Sequence, residues 1–169
     1  DKMPKLRPAF DKQGTVTAAN ASKINDGAAA FVVTSAEKAE SLGVKPLGRI
    51  VSQASFAHEP DWFTTAPVEA AKLALDKAGL KASDIDRWEI NEAFSVVTMA
   101  SIRDLELAPE KVNVRGGAVA MGHPIGCSGA RILVTLLHTL REEGLRYGCA
   151  SICIGGGEAA AMIVENTEV

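Results

Sequence analysis

Nowhere in its 169 residues does this chain carry an apolar run of about 18 residues, so no segment is expected to span a membrane. Basic charge is not in excess either. Eighteen Lys and Arg stand dispersed against 21 Asp and Glu, giving a net charge of -3 and a pI near 5.7. That balance leaves no cationic footprint for nucleic acid. Cysteine is scarce and odd in number, with Cys127, Cys149 and Cys153 at no paired spacing. The pattern argues against zinc, points to a reducing compartment, and leaves Cys153 as a candidate free thiol. No Gly-Lys-Ser or Gly-Lys-Thr follows the glycines, which excludes a phosphate-binding P-loop. The chain opens without methionine on Asp1-Lys2-Met3-Pro4, which reads as the interior of a longer protein, and no internal repeat is seen.

What is present is a globular composition, 47% hydrophobic and 23% charged. The first 24 residues, punctuated by Pro4, Pro8 and Gly14, read as a loop that ends in Ala18-Ala19-Asn20-Ala21-Ser22 against a ligand. Small and β-branched residues over 28–34 predict a buried strand, followed by a polar helix ending at Gly43. A long strand is expected over 47–57. Pro67, Val68, Ala71, Leu75 and Ala78 then recur at near-helical spacing until Gly79 stops the run. Arg87-Trp88-Glu89-Ile90 reads as a short strand, residues 93–105 as a helix covered on two sides, and Val112-Asn113-Val114 as the next strand. Ile132, Leu133, Val134, Leu136, Leu137 and Leu140 surround most of a further helix. Strands over 149–154 and 160–165, joined at Gly155-Gly156-Gly157, complete over residues 47–169 an α/β order of β-α-β-α-β-α-β-β.

Between the third strand and the apolar helix, residues 116–129 pack five glycines around His123. Such a loop lets main-chain N–H groups and one imidazole approach a substrate closely. Asn91-Glu92-Ala93-Phe94 lies upstream at a strand end, and Cys153-Ile154-Gly155-Gly156-Gly157 lies downstream at another. This ordered set closely resembles the thiolase family, nearest its mitochondrial acetoacetyl-CoA branch. The resemblance covers essentially the whole chain but only the C-terminal part of a thiolase. It implies a layered α/β/α/β/α architecture. Residues 1–24 would end the coenzyme A-binding loop domain, 25–46 would be the last strand and helix of an incomplete N-terminal domain, and 47–169 would form the C-terminal domain.

The resemblance also implies a reaction: reversible Claisen condensation of two acetyl-CoA to acetoacetyl-CoA and CoA, with thiolysis in reverse. Cys153 would move the proton at carbon, His123 would donate to the thioester oxygen, and Asn91 would hold a water completing that oxyanion hole. The Gly155 backbone N–H would serve a second oxyanion hole. Ser22, Ala93, Phe94, Phe63 and Phe10 would contact coenzyme A or the acyl group, no cofactor being tightly bound. Ala18, Ala19, Ala21 and Val119 match positions whose carbonyls hold potassium in the mitochondrial branch. Lys23 departs from the small residue many thiolases have after this Ser. No cysteine here matches the family's nucleophile, so the chain alone is expected to be inactive and to need an N-terminal thiolase portion as partner. The complete protein is expected to be a homotetramer or dimer, cytoplasmic if bacterial and in the mitochondrial matrix otherwise. A non-catalytic acyl-CoA-binding or structural half of a split assembly is the alternative. Ketoacyl synthases, the nearest rival, would place histidine at Asn91 and have no need of Cys153.

Overall fold

The computed structural model describes residues 1–169 and builds them around one four-stranded sheet. In chain order the elements are α1 (Ala36–Ser41), β1 (Arg49–Ala57), α2 (Ala66–Ala78), β2 (Arg87–Ile90), α3 (Ser95–Asp104), α4 (Ala118–Met121), α5 (Ser128–Glu143), β3 (Tyr147–Ile154) and β4 (Glu158–Glu165). The strands lie in the order β1-β4-β3-β2. β4 is antiparallel to both its neighbours, while β2 and β3 run parallel, with Ile90 opposite Ser151. A parallel pair places both strand C-termini at one edge of the sheet, where open α/β sheets bind ligands. No helix is long and apolar enough to cross a membrane.

Strand alternation divides the core into two faces. On one, Cys149, Cys153, Ala159, Ala161 and Ile163 meet α2 and α3, together with the buried Trp88, Ile90 and Val97. Ala66, Ala70, Ala71 and Ala74 are fully buried, so α2 lies close against the small residues of β4. Gly79 ends that helix with φ of +66°, a conformation that costs a side-chain-bearing residue more. On the other face, Ile132, Leu136, Leu137 and Leu140 of α5 pack on Ala150 and Val164. The α/β class expected from the sequence is what the chain adopts, as helices on both faces of one sheet.

Two expected strands differ. Residues 28–34 have no regular structure, and Val32 and Val33 are 98% and 74% exposed. An extended segment without a neighbouring strand has no ladder to satisfy its backbone, whatever its β-branched content. Residues 112–114 contribute only one bridge, Val112 to Trp88. Asn113 is the reason: its φ is +48°, in the left-handed region, which interrupts an extended run. Its side chain then does what a strand would have done, accepting from Ile90 N at 2.8 Å and donating to Ile90 O at 2.9 Å. From β1 onward the order is therefore β-α-β-α-α-α-β-β, with the short α4 inside the glycine loop.

Candidate active site

Asn91 leaves β2 with its backbone N–H donated to Ser151 O at 2.9 Å. This contact continues the parallel pairing one residue past the strand and sets Asn91 beside the end of β3, where Cys153 lies two residues beyond Ser151. Asn91 is fully buried. Its Nδ2 faces His123 Nε2 at 3.5 Å, and its Oδ1 has no hydrogen-bond partner. An orphaned buried acceptor is costly and leaves Oδ1 free to accept from a donor that enters the site.

Besides the contact with Asn91, His123 is held at two points. Its backbone N–H donates to Lys23 O at 2.7 Å. Its Nδ1 lies 2.6 Å from Ser128 Oγ, and Ser128 Oγ in turn donates to Pro124 O at 3.1 Å. A hydroxyl has one proton, so a serine that gives it to a carbonyl must accept from Nδ1–H. The neutral ring then carries its lone pair on Nε2, toward Asn91. Burial, and secondarily the nearby Arg131, hold the His123 pKa below its ordinary value. The imidazole is thus kept neutral with its acceptor nitrogen facing the site.

The glycine loop is fastened from the other side by Glu92. Glu92 Oε2 accepts from Val119 N at 3.0 Å and Oε1 from Asn113 Nδ2 at 3.3 Å. The carboxylate lies so close over Gly117 that a Cβ there would collide with it. This contact, not conformational freedom, explains why that position has no side chain. Beneath the site, Arg131 of α5 reaches buried Glu89 at 3.4 Å. Burial pushes the Glu89 carboxyl up to about 7, with Glu92 adding to the shift and Arg131 opposing it.

Cys153 is buried and reduced. Desolvation pushes its thiol up to about 11, and its own backbone N–H opposes that shift less strongly. Cys149, wholly buried, is pushed up to about 12 and sits in the core. Gly155 follows Cys153 in the exposed turn to β4, open enough that a Cβ would touch nothing within 4 Å.

The residues expected at a coenzyme A arm also come together. Ser22 N donates to Ala93 O at 3.0 Å, Ser95 N to Asn20 O at 2.9 Å, and Ala21 bridges Phe94. Phe94 meets Phe10 edge-on at 5.8 Å between centroids and Phe63 at 6.3 Å. The carbonyls expected for potassium have a different neighbour. Lys23 Nζ donates to Ala18 O at 2.6 Å and to Ala21 O at 3.2 Å. Val119 meets Glu92 through its N–H, and no bond brings Ala19 O into the set.

Ser128, Glu92 and Asn113 were not singled out by the sequence reading. Glu92 follows Asn91 in the strand-end motif and Ser128 lies in the glycine loop, the one sequence feature that points to either. Asn113 offered no such signal, because Val-Asn-Val alternates as a strand does.

The thiolase C-terminal domain family matches residues 44–166, and the thiolase N-terminal domain family matches residues 1–37. The chain belongs to the thiolase family. It is 56% identical over 165 residues to the mitochondrial acetyl-CoA acetyltransferase of Homo sapiens, covering 97% of this chain and 38% of that protein. It is 54% identical over 165 residues to acetyl-CoA acetyltransferase 2 of Arabidopsis thaliana, covering 97% of this chain and 41% of the relative. The crystal structure of the Bacillus anthracis acetyl-CoA acetyltransferase superposes with a TM-score of 0.95 at 46% identity, over 97% of this chain and 42% of that one. Human mitochondrial 3-ketoacyl-CoA thiolase superposes with a TM-score of 0.90 at 42% identity, over the same two shares. The thiolase chain thus spans about two fifths of the length of the curated relatives it matches.

Proposed function

We propose that this chain supplies the acid/base and first oxyanion-hole residues of an acetyl-CoA C-acetyltransferase. In this reading the nucleophilic cysteine comes from an N-terminal thiolase portion outside these residues. The observation that carries it is the Asn91–His123–Ser128 chain, set at the C-terminal ends of the parallel strands whose second member bears Cys153.

The geometry is compatible with these roles. With Nδ1–H committed to Ser128, His123 Nε2 accepts the proton of the nucleophilic thiol and, once protonated, donates to the thioester oxygen. Asn91, through the water its orphaned Oδ1 binds, completes that hole. Neutral donors aimed at a developing oxyanion are each worth about two to three powers of ten in rate. In acylation the nucleophile's sulfur bonds the acetyl carbon, and coenzyme A leaves as its thiolate and then takes the Cys153 proton. In condensation the Cys153 thiolate so formed removes the α-proton of a second acetyl-CoA, and the enolate carbon attacks the acylated nucleophile. The new carbon–carbon bond forms, the acyl–sulfur bond breaks, and His123 returns the proton to the leaving thiolate. The Gly155 N–H contributes to the hole for the tetrahedral oxygen. In thiolysis Cys153 runs as the acid, a role suited to a thiol whose burial keeps it protonated. Ser22, Ala93, Phe94, Phe63 and Phe10 line the approach for the pantetheine arm and acyl group.

The complete enzyme in this reading is a homotetramer or dimer acting on acetyl-CoA and acetoacetyl-CoA. The test is to assay acetoacetyl-CoA formation by the chain alone and by the chain assembled with an N-terminal thiolase portion. Activity only in the assembly is expected. Assembly with coenzyme A binding but no turnover would favour the non-catalytic half, and activity of the chain alone would refute the placement of the nucleophile.

A further inference from the structure

The segment 20–24 touches two parts of the site, the Ala93–Ser95 stretch and His123. Asn20 O and Ser22 N pair with the Ala93–Ser95 stretch, Lys23 O holds the His123 N–H, and Ile24 bridges His123. The turn before it is tightly wound: Asn20 accepts from Thr17 N at 2.7 Å and donates to Thr15 O at 3.0 Å. Winding the chain this way turns the carbonyls of Ala18 and Ala21 toward one point, and the Lys23 ammonium occupies it. Converging backbone carbonyls with no carboxylate among them form a weak-field oxygen cradle of the kind that accepts a monovalent cation, and an ammonium is such a cation. The resemblance would put potassium at these carbonyls. Their geometry does not fit that ion, because two of the four expected ligands already face a positive charge carried by the chain.

We propose that Lys23 is a tethered replacement for a monovalent cation, and that this protein has no free cation at the Ala18–Ala21 turn. The replacement also couples the turn to the chemistry. The residue whose ammonium gathers the carbonyls is the one whose own carbonyl fixes His123 at 2.7 Å. Lys23 is thereby a positioning residue for His123. A free ion could hold the turn, but it would be lost at low salt and would carry no covalent link to that carbonyl. Only this consequence for catalysis rests on the acetyltransferase reading; the cation preference itself does not.

Every contact involved lies within this chain, so cation binding can be read on the chain itself by thallium-205 NMR, with thallium(I) as the potassium probe. The wild type is expected to leave the thallium line unbroadened. Lys23→Met should broaden it, and added potassium but not sodium should reverse the effect. Lys23→Gln, run beside it, keeps the contrast from depending on one side chain's folding. In the chain assembled with an N-terminal thiolase portion, the wild-type rate should be equal in potassium and sodium, whereas the Lys23→Met rate should fall about tenfold in sodium and recover in potassium. Thallium broadening by the wild type, or none by either variant, would overturn the replacement. Broadening as expected in an assembly without turnover would leave the cation inference standing and count against the acetyltransferase reading alone.

Discussion

Asn91 Nδ2 and His123 Nε2 face each other at 3.5 Å, joining the end of β2 to the glycine loop through two side chains more than thirty residues apart. The pairing is directional. The amide is the donor, because Ser128 takes the only proton of the neutral ring on its far side.

Asn91→Asp should therefore harm turnover more than binding. The new carboxylate removes the donor facing Nε2 and repels a developing enolate. A loss of about two to three powers of ten in kcat is expected in the assembled enzyme. Coenzyme A affinity, measured by calorimetry, should be nearly unchanged, since no contact of the Ser22–Ala93 strip involves the Asn91 side chain. An affinity loss as large as the rate loss would place Asn91 in substrate binding instead.

Ser128→Ala tests the tautomer. Without Oγ, Nδ1–H loses its acceptor, and nitrogen-15 NMR should show His123 shifting from the Nδ1-protonated form toward a mixture. The rate should fall about fivefold, the worth of one ordinary hydrogen bond of about 1 kcal/mol. The pH dependence has a fixed sign. A histidine whose folded pKa lies below its unfolded one binds fewer protons when folded, so its stabilising contribution is present above about 6.5 and is lost as pH falls. Replacing His123 by Gln should flatten the acid limb of the stability curve.

Glu89→Gln should act in the opposite sense. Folded Glu89 keeps its proton to about 7, whereas the unfolded carboxyl releases it near 4.5. Between those values the folded state binds more protons, so stability falls as pH rises. The Gln variant should lose that slope while matching the wild type near pH 4. An unchanged slope in urea melts across this range would mean that Arg131 keeps Glu89 ionised.

Much of the fold was legible because it rests on local repetition. Arg87–Ile90 was delimited to the residue, and α2 and α5 were found from apolar spacing and their glycine stops. What failed was not local. Residues 28–34 have strand composition, yet a strand is a property of two segments, and no neighbour stands beside them. Val112-Asn113-Val114 alternates correctly, but the left-handed φ of Asn113 exists to let its amide cap Ile90, a residue 23 positions away. Of the candidate site, Asn91, His123 and Cys153 could be named by motif. Ser128 and Glu92 orient other groups, and Ser128 at a helix start looks like an ordinary cap until His123 is seen against it. Lys23 stood out as a departure, but only the folded turn shows where its ammonium goes.

Gly117→Ala should be destabilising by about 1 kcal/mol, because the new methyl displaces the mobile end of Glu92 from a hydrogen bond that fastens the loop. The obstacle is the Glu92 carboxylate, not the backbone, so the two positions must couple. Glu92→Ala in the Gly117→Ala background should recover part of the loss, even though Glu92→Ala alone costs the Val119 and Asn113 bonds. Strictly additive denaturation energies in this cycle would contradict the contact.

Cys153→Ser separates the two halves of the proposed reaction. Transferring an acetyl group from acetyl-CoA to the distant nucleophile needs a proton acceptor for that thiol and an oxyanion hole, which His123 and Asn91 supply in the proposed reaction. It needs no proton transfer at carbon. Forming the carbon–carbon bond does, and a serine hydroxyl is far too weak an acid to provide a base in place of a thiolate. Even the wild-type thiol starts high, at about 11 in the chain as folded here, so bound substrate or the partnered portion must lower it. In the assembled enzyme, labelled acetyl should still be incorporated within about tenfold of the wild-type rate, while condensation falls by at least about two to four powers of ten, the usual contribution of a positioned acid/base. The two readouts are taken on one preparation, with circular dichroism to establish that the fold persists. If incorporation and condensation disappear together in a folded protein, Cys153 serves acylation as well, and the division of labour between it and His123 is wrong.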